Sequence, residues 1–333
     1  MIIKSITLTN FRNHTNYHLD CTDETTLILG ANGWGKTSVL EAIHILTRGK
    51  SFRASDQDIV KHGKSFYRIT LKYDNGEEII ATYDKQKNIK SFITVDKKTT
   101  RLPKKYKYPV ILFLPSDLNL ISHSPSRRRD YFDRVLSELN DSYSANLSRY
   151  NKALRQRGEL LKTGSSPESL FSWNLLLAEY GTKIFTQRKK IIQEFNSQLT
   201  DTYHSIAENQ DQIKINHKTE VRSSSPEIYL KTLEQNYQKD SLLGHTSFGA
   251  HRDDYVFEFN HTVANGSASR GETRSIILAL KFIEAKKLQE ETGHRPIILL
   301  DDVFSELDEV RRHSLIKNFK DHQVIITSVE KID

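Results

Sequence analysis

One glycine-rich stretch has the residue types and the spacing that phosphate binding requires. Residues 30–37 match the pattern G-x-x-x-x-G-K-[ST], and they lie between the apolar run 25–29 and a helical pattern of apolar residues. Glycines let such a P-loop fold around a phosphate chain, and the amides that open the helix point at it. Lys36 is placed to contact the terminal phosphates, and the Thr37 hydroxyl is placed to ligate Mg²⁺. The residues predicted to surround the phosphates of a nucleoside triphosphate are Gly30, Ala31, Asn32, Gly33, Trp34, Gly35, Lys36, Thr37 and Ser38.

A second stretch, near the end of the chain, supplies the carboxylates that such a site needs. The apolar run 296–300 is typical of a buried strand, and it ends in Asp301 and Asp302. Asp301 is predicted to hold the Mg²⁺ shell through water, and Asp302 is predicted to orient the attacking water. A turn or a helix cap would also explain an isolated Asp pair, but the P-loop favours the metal site. Asp302 and Lys36 are therefore the predicted catalytic residues.

Two short polar segments narrow the class of protein. Ser269, Gly271 and Glu272 precede a strong helical pattern, and the Ser-Glu-Leu-Asp segment 305–308 follows the acidic strand. Their order after the P-loop is similar to that of an ABC-type ATPase head. The resemblance implies an ATP-dependent homodimer, in which Ser269 and Gly271 of one subunit close on the ATP held by the P-loop of another. A plain capping box at Ser269 and Glu272 is the alternative interpretation.

Segments spread over almost the whole chain resemble the RecF family of bacterial recombination and replication-repair ATPases. They are residues 4–13, 30–43, 51–53, 113–118, 124–129, 132–133, 249–254 and 268–308. The resemblance implies an ATP-driven dimeric clamp on single-stranded or gapped duplex DNA. It further implies recombinase loading at gaps with RecO and RecR as partners, and support of the SOS response.

The chain departs from the family pattern at two positions. Trp34 fills a P-loop position where a small or polar residue is usual, and Glu272 stands where Gln is commoner. In common with RecF-like heads, the chain differs from ABC transporters, which carry Glu at the position of Asp302 and a His where Thr327 and Ser328 follow the last strand. A shorter carboxylate and no switch histidine indicate slow, DNA-stimulated ATP hydrolysis.

Three further residues are predicted to lie beside the nucleotide. Arg12 and Asn13 follow the first strand, a region that RecF-like proteins use next to the nucleotide, although a simple turn explains them nearly as well. Arg53 comes after the P-loop helix and its terminator Gly49, where it could pair with or stack on the adenine; a solvated arginine is the alternative.

The elements that must position these residues predict an α/β fold, a P-loop ABC-type ATPase head with an antiparallel β subdomain and an inserted helical lobe. Residues 66–114 contain short alternating strands, whereas residues 127–240 contain longer helical patterns. We therefore expect the first part of an ATP-binding lobe over 1–120, a helical lobe over 121–240, and the rest of the ATP-binding lobe over 241–333.

Positive charge is concentrated in one part of a chain whose formal net charge is +7. Residues 85–107 hold nine Lys or Arg against the single acid Asp96, with aromatic residues interleaved. Such a stretch suits a DNA phosphate backbone, although lysines also protect exposed edge strands from aggregation. The run 127–129 is a second candidate, with ion pairs to Asp130 or Asp133 as the alternative. The predicted DNA-binding residues are Lys97, Lys98, Arg101, Lys104, Lys105, Arg127 and Arg128.

The cysteine count and the absence of long apolar segments indicate the cellular compartment. The single cysteine, Cys21, cannot form an internal disulfide, and neither a secretory leader nor a stretch of membrane-spanning length is evident, so we expect a cytoplasmic protein. Two functions from other classes stay open at this point. A P-loop kinase of a small substrate would explain the P-loop and Asp301, and a scaffold could bind ATP without turning it over.

Overall fold

The computed structural model describes residues 2–207 and 209–329. The strands in chain order are β1 (Ile3–Phe11), β2 (His14–Asp20), β3 (Thr25–Leu29), β4 (Phe66–Tyr73), β5 (Glu78–Asp84), β6 (Ile89–Ile93), β7 (Lys98–Thr99), β8 (Val110–Phe113), β9 (Ile213–Lys218), β10 (Asp254–Phe259), β11 (Thr262–Val263), β12 (Ile297–Asp301) and β13 (Val324–Ser328). The α-helices are α1 (Lys36–Arg48), α2 (Asp56–Ile59), α3 (Pro125–Leu139), α4 (Asp141–Lys162), α5 (Pro167–Ala207), α6 (Pro226–Gln235), α7 (Tyr237–Leu243), α8 (Ala264–Ser267), α9 (Arg270–Thr292) and α10 (Glu309–Phe319).

The chain folds into two compact units. Unit 1 consists of Met1–Asp117 with Glu284–Asp333, and unit 2 is the intervening Leu118–Ile283. The helix α9 therefore begins in unit 2 and ends in unit 1. Among the helices that the structure describes, none combines the length and the hydropathy needed to cross a membrane.

Unit 1 contains two sheets with the helix α1 in contact with both. An antiparallel sheet has the strand order β2-β1-β4-β5-β6-β7, and a parallel sheet has the order β3-β13-β12-β8. The helix contacts strands of each sheet, and its apolar residues from Val39 to Leu46 are fully buried. A helix that is apolar on almost all sides belongs in a core, which is why α1 can hold the P-loop rigidly at its start.

The parallel sheet joins the two ends of the chain. The strand β13 pairs with β3 on one side and with β12 on the other, so the P-loop strand and the acidic strand lie one strand apart. This sheet therefore brings the P-loop and the acidic strand into one unit, although they lie near opposite ends of the chain. The run Val110–Phe113 was expected among the antiparallel strands, but it pairs parallel with β12 instead. All four of its residues are buried, as is typical of a parallel strand covered on both faces.

Unit 2 is mainly helical, with a small antiparallel sheet of order β11-β10-β9. The helix α5 is 41 residues long, and it contacts α4, α6 and β9. The buried Arg188 on this helix binds Asp133 at 2.8 Å and Asp253 at 2.7 Å. The arginine thus ties α3 and the start of β10 to α5.

The second predicted domain boundary lies elsewhere in the structure. Residues 241–283 were expected in the ATP-binding lobe, but they cluster with the helical unit. The cause is long-range pairing, since β10 pairs with β9 from Asp254 to Phe259 and Asp253 binds Arg188. Asp253 and Asp254, which lie in this stretch, form their ion pairs inside unit 2.

Candidate nucleotide site

The P-loop has the backbone shape that its glycines predict. Gly33 and Gly35 have φ angles of 81° and 102°, which residues with a Cβ rarely adopt. A Cβ on Gly35 would also collide with the side chain of Asn13 and would lie 2.5 Å from Nε2 of His14. Gly35 is therefore required both by its conformation and by the space around it. The helix α1 starts at the next residue, so its first amides open onto the loop.

Lys36 extends along the inside of this loop. Its side chain is buried, its Nζ donates a hydrogen bond to the Gly30 carbonyl at 2.6 Å, and it lies 3.6 Å from Oδ2 of Asp302. The loop carbonyl and the carboxylate hold the ammonium group where an anion on the loop would meet it. The two predicted catalytic residues, Lys36 and Asp302, are thus brought together in one unit.

The predicted metal ligands are also adjacent. The Thr37 hydroxyl lies 2.8 Å from one Asp301 carboxylate oxygen and 2.9 Å from the other. Asp301 is buried, and burial raises its pKa although hydrogen bonds from Thr37 and Thr327 act in the opposite direction. A hydroxyl and a carboxylate in contact form the type of oxygen ligand set that Mg²⁺ prefers.

Thr327 connects both acids with one buried hydroxyl. Its Oγ1 donates to Asp301 at 2.9 Å and accepts from the Asp302 backbone amide at 2.9 Å. Asp302 has a φ of 49°, a left-handed conformation that costs free energy in a residue with a side chain. Among the described residues, Oδ1 of Asp302 is buried without a hydrogen-bond partner. Thr327 therefore supports an acid whose free oxygen can accept a proton.

The turn between β1 and β2 holds the P-loop from the outside. The Asn13 amide donates to the Trp34 carbonyl at 2.8 Å and to the Gly33 carbonyl at 3.2 Å. The Trp34 ring makes edge contacts with Tyr17 at 5.5 Å and with His14 at 5.7 Å between ring centroids. The unusual Trp34 is thus accommodated by aromatic residues on β2, and Asn13 contacts loop carbonyls rather than standing free.

Glu41 on α1 forms ion pairs with two arginines beside the P-loop. The Glu41 carboxylate accepts hydrogen bonds from Arg12 at 2.7 and 2.8 Å and from Arg53 at 2.9 and 3.1 Å. Arg53 also lies 5.8 Å from the centre of the Phe52 ring. The sequence predicted both arginines near the nucleotide but not the acid that binds them. The sequence feature that could have indicated this acid is that Glu41 is the one carboxylate in the apolar run 39–46.

These residues surround a cavity of about 1050 Å³ within unit 1. Residues predicted for the site that line it are Arg12, Asn13, Ala31, Asn32, Gly33, Gly35, Lys36, Thr37, Ser38, Arg53 and Asp302. Residues that the sequence did not predict also line it, namely Gln57, Asp58, Val60, Lys61, His62, Gly63, Lys64 and Lys85. The added lysines give the cavity a strongly positive wall, which suits a polyphosphate.

Ser269 and Gly271 lie in unit 2, where Ser269 forms the capping box considered from the sequence. Its amide donates to the Glu272 carboxylate at 2.6 Å, and its hydroxyl accepts from the Glu272 amide at 3.2 Å. Ser269 and Glu272 thus each bind the backbone amide of the other at the start of α9. Ser269 is nevertheless exposed, so this cap leaves its outer surface accessible.

Most cations of the basic segment 85–107 are exposed, but its aromatic residues are buried. Lys97, Lys98, Arg101 and Lys104 are exposed, and Lys98 lies on β7 at the edge of the antiparallel sheet. Lys105 forms an ion pair with Asp96. Phe92 and Tyr106, and also Tyr108 just after the segment, belong to the core of unit 1, since they are at most 8% exposed. Any nucleic-acid contact here would be made by cations, without stacking on these rings.

Arg128 was predicted to contact DNA, and the structure gives it another role. Its guanidinium binds Asp254 at 2.8 and 2.9 Å and donates to the carbonyls of Ile121 and His123. Neither Asp130 nor Asp133 is its partner in these contacts. Because this donor group is already engaged in unit 2, Arg128 is a poor DNA ligand, whereas the neighbouring Arg127 is exposed.

Comparison with known proteins decides the family. The family described as AAA ATPase domain matches residues 1–247. The DNA replication and repair protein RecF of Ruminiclostridium cellulolyticum is 33% identical over 350 residues, which cover 99% of this chain and 93% of that protein. RecF of Clostridium novyi is 33% identical over 346 residues, covering 100% and 94%. The chain belongs to the RecF family of DNA replication and repair proteins.

Solved structures support the same conclusion. RecF with ATP, described as a recombination mediator protein in the RecFOR pathway, has a TM-score of 0.87 and 29% identity, covering 100% of this chain and 93% of that one. The Smc head domain of Pyrococcus furiosus has a TM-score of 0.53 at 15% identity, covering 99% and 90%, and shows the fold alone. The fold class and the family predicted from the sequence are confirmed, and the small-substrate kinase is set aside.

The role of Thr327 can be tested through stability. Thr327→Val should lower the free energy of unfolding by about 1–3 kcal/mol, because it removes the buried hydrogen bond from the hydroxyl to the Asp301 carboxylate and the hydrogen bond that the hydroxyl accepts from the Asp302 amide. Thr327→Ser keeps the hydroxyl and should recover most of this loss. The control is Thr47→Val, since the Thr47 hydroxyl is also buried and donates to carbonyls of its own helix. Equal losses in both valine variants, measured by urea unfolding, would contradict the bridging role.

Proposed function

We propose that this chain is an ATP-dependent DNA-binding protein of replication and recombinational repair. In this proposal ATP brings two copies together as a clamp on DNA, and slow hydrolysis releases them. The main support for this proposal is the arrangement of four side chains in unit 1, next to a cavity lined by lysines. These side chains are Lys36, Thr37, Asp301 and Asp302. Membership of the RecF family supports a role of this nucleotide site in DNA replication and repair.

ATP and Mg²⁺ fit the groups at the site. Lys36 and the amides at the start of α1 would bind phosphate oxygens, and Thr37 with Asp301 would hold the metal ion. When bound, Mg²⁺ supplies positive charge to the terminal phosphates. Asp302 would orient a water molecule and accept its proton at the buried Oδ1. Because an aspartate is shorter than the glutamate of ABC transporters, we expect slow turnover.

The proposed dimer uses the exposed start of α9. Ser269 and Gly271 would face the phosphates held by the P-loop of a second copy, as in ABC-type heads. Ser269 is exposed and Gly271 is half-buried, so both are accessible to a partner. The capping box fixes the backbone at this point, which holds Ser269 in place at the start of α9.

DNA would be bound through exposed cations rather than through base readout. Lys97, Lys98 and Arg101 are exposed and take part in no ion pair with a described residue, and Lys104 and Arg127 are exposed as well. Lysines of this kind contact phosphates without reading sequence. A solved RecF structure is described as part of the RecFOR pathway, so we extend the proposal to RecO and RecR as partners. From the resemblance to the RecF family we further propose recombinase loading at gaps, support of the SOS response and a cytoplasmic location.

The dimer proposal is tested by Ser269→Arg. The larger cation should prevent ATP-dependent association while leaving ATP binding by the monomer within about twofold of the parent, because Ser269 would meet the nucleotide only across the interface. Ser267→Arg adds the same charge at an exposed position two residues away and serves as the control. Light scattering with and without Mg²⁺ and ATP gives the mass. An undiminished mass increase in Ser269→Arg would rule out this interface.

The DNA proposal is tested by removing three exposed cations. Lys97→Ala, Lys98→Ala and Arg101→Ala together should weaken binding to all DNA sequences alike. The plot of log affinity against log salt should become shallower by roughly 0.7–0.9 for each lost contact. A control variant with Lys183, Lys189 and Lys190 replaced by Ala changes the net charge equally on α5. If both variants show the same salt slope as the parent, segment 97–101 does not contact DNA.

A further inference from the structure

The ion-pair cluster of Glu41 joins one buried acid to two arginines. The Glu41 side chain is fully buried on α1, and its two oxygens accept hydrogen bonds from Arg12, Arg53 and Ser51. The Ser51 hydroxyl donates at 2.6 Å, so five hydrogen bonds converge on one carboxylate. Two cations therefore share one anion, so these three charged side chains together carry a net positive charge.

The cluster is strongly ionised. Burial alone would raise the pKa of Glu41, but hydrogen bonds from Arg12, Arg53 and Ser51 outweigh burial and hold this pKa below its usual range. The pKa of Arg12 is raised, chiefly by its hydrogen bond to Glu41. At neutral pH the carboxylate is charged and so are both guanidinium groups. Glu41 thus counteracts the repulsion that would otherwise separate the two arginines.

The geometry directs both arginines to one place. Each arginine lines the cavity of the P-loop, although each belongs to a different segment of the chain. Nη2 of Arg53 lies 3.4 Å from the Ser38 hydroxyl, one residue after Thr37. Nη1 of Arg12 reaches the Asp58 carbonyl at 3.3 Å. Both side chains keep an edge toward the cavity, since Arg12 is 22% and Arg53 is 37% exposed.

We propose that Glu41 is a positioning residue that aims Arg12 and Arg53 at the phosphates of a nucleotide on the P-loop. It acts in two ways, by cancelling one of two like charges and by fixing two long side chains that would otherwise lose rotamer entropy on binding. This inference rests on the proposed function, because it assigns the nucleotide phosphates as the ligand of the two arginines. Glu41 itself would not touch the nucleotide.

The first test compares three forms of residue 41. Glu41→Gln keeps the size of the side chain but removes its charge and turns an amide toward a guanidinium, so the affinity for ATP in Mg²⁺ buffer should fall at least about tenfold. Glu41→Asp keeps the charge and should restore part of the affinity. The matched control is Asp240→Asn in unit 2, which neutralises another fully buried carboxylate paired with an arginine, Arg157. This control should lower the melting temperature while ATP affinity stays within about twofold.

The second test asks whether Glu41 acts through the arginines. In a protein that carries both Arg12→Ala and Arg53→Ala, adding Glu41→Gln should change ATP affinity by less than about twofold. The inference is overturned if Glu41→Gln weakens binding equally in the parent and in this background, or if it leaves parent affinity unchanged. A parent protein that binds no ATP would contradict the proposed function itself, so the two failures are distinguishable.

Discussion

The hydrogen bonds between the Thr37 hydroxyl and the Asp301 carboxylate join segments that are 264 residues apart, and the rest of the site depends on this junction. It exists because β13 pairs with β3 and with β12, which places the end of the acidic strand near the start of α1. Parallel strands present their carboxyl ends at one edge of a sheet, and ligands commonly bind at such an edge. The last strand of the chain is thus as necessary for the site as the P-loop itself.

Around this junction, most of the charged side chains already have hydrogen-bond or ion-pair partners within the protein, without a bound nucleotide. Lys36 is bound by a loop carbonyl and approaches Asp302, and Asn13 binds the loop from the outside. Two arginines are kept near the loop by the buried Glu41. Such preorganisation reduces the free energy that ordering the site would cost on binding. It also explains how α1, buried between two sheets, can carry one charged residue in its apolar run.

The local motifs were predictable from the sequence because their chemistry lies in consecutive residues. The P-loop, the acidic strand and the capping box each occupy fewer than ten positions, and the resemblance to the RecF family indicated how they combine. What could not be predicted depends on pairing over long distances. The parallel pairing of Val110–Phe113, the burial of Tyr106 and the binding of Arg128 to Asp254 are set by partners that lie far away in sequence or by the packing of a whole sheet. The role of Glu41 could not be predicted because its partners, Arg12 and Arg53, lie in other segments of the chain.

We infer that Lys36 and its loop bind the phosphates of ATP, and calorimetric titration of Mg²⁺–ATP into the parent and into Lys36→Met tests this claim. The variant should bind at least about tenfold more weakly, since a charge-assisted contact contributes roughly 1.5–3 kcal/mol. Lys50→Met, which changes an exposed lysine just after the same helix, should bind like the parent. Binding of Lys36→Met within about threefold of the parent, a difference of less than about 1 kcal/mol, would contradict the claim.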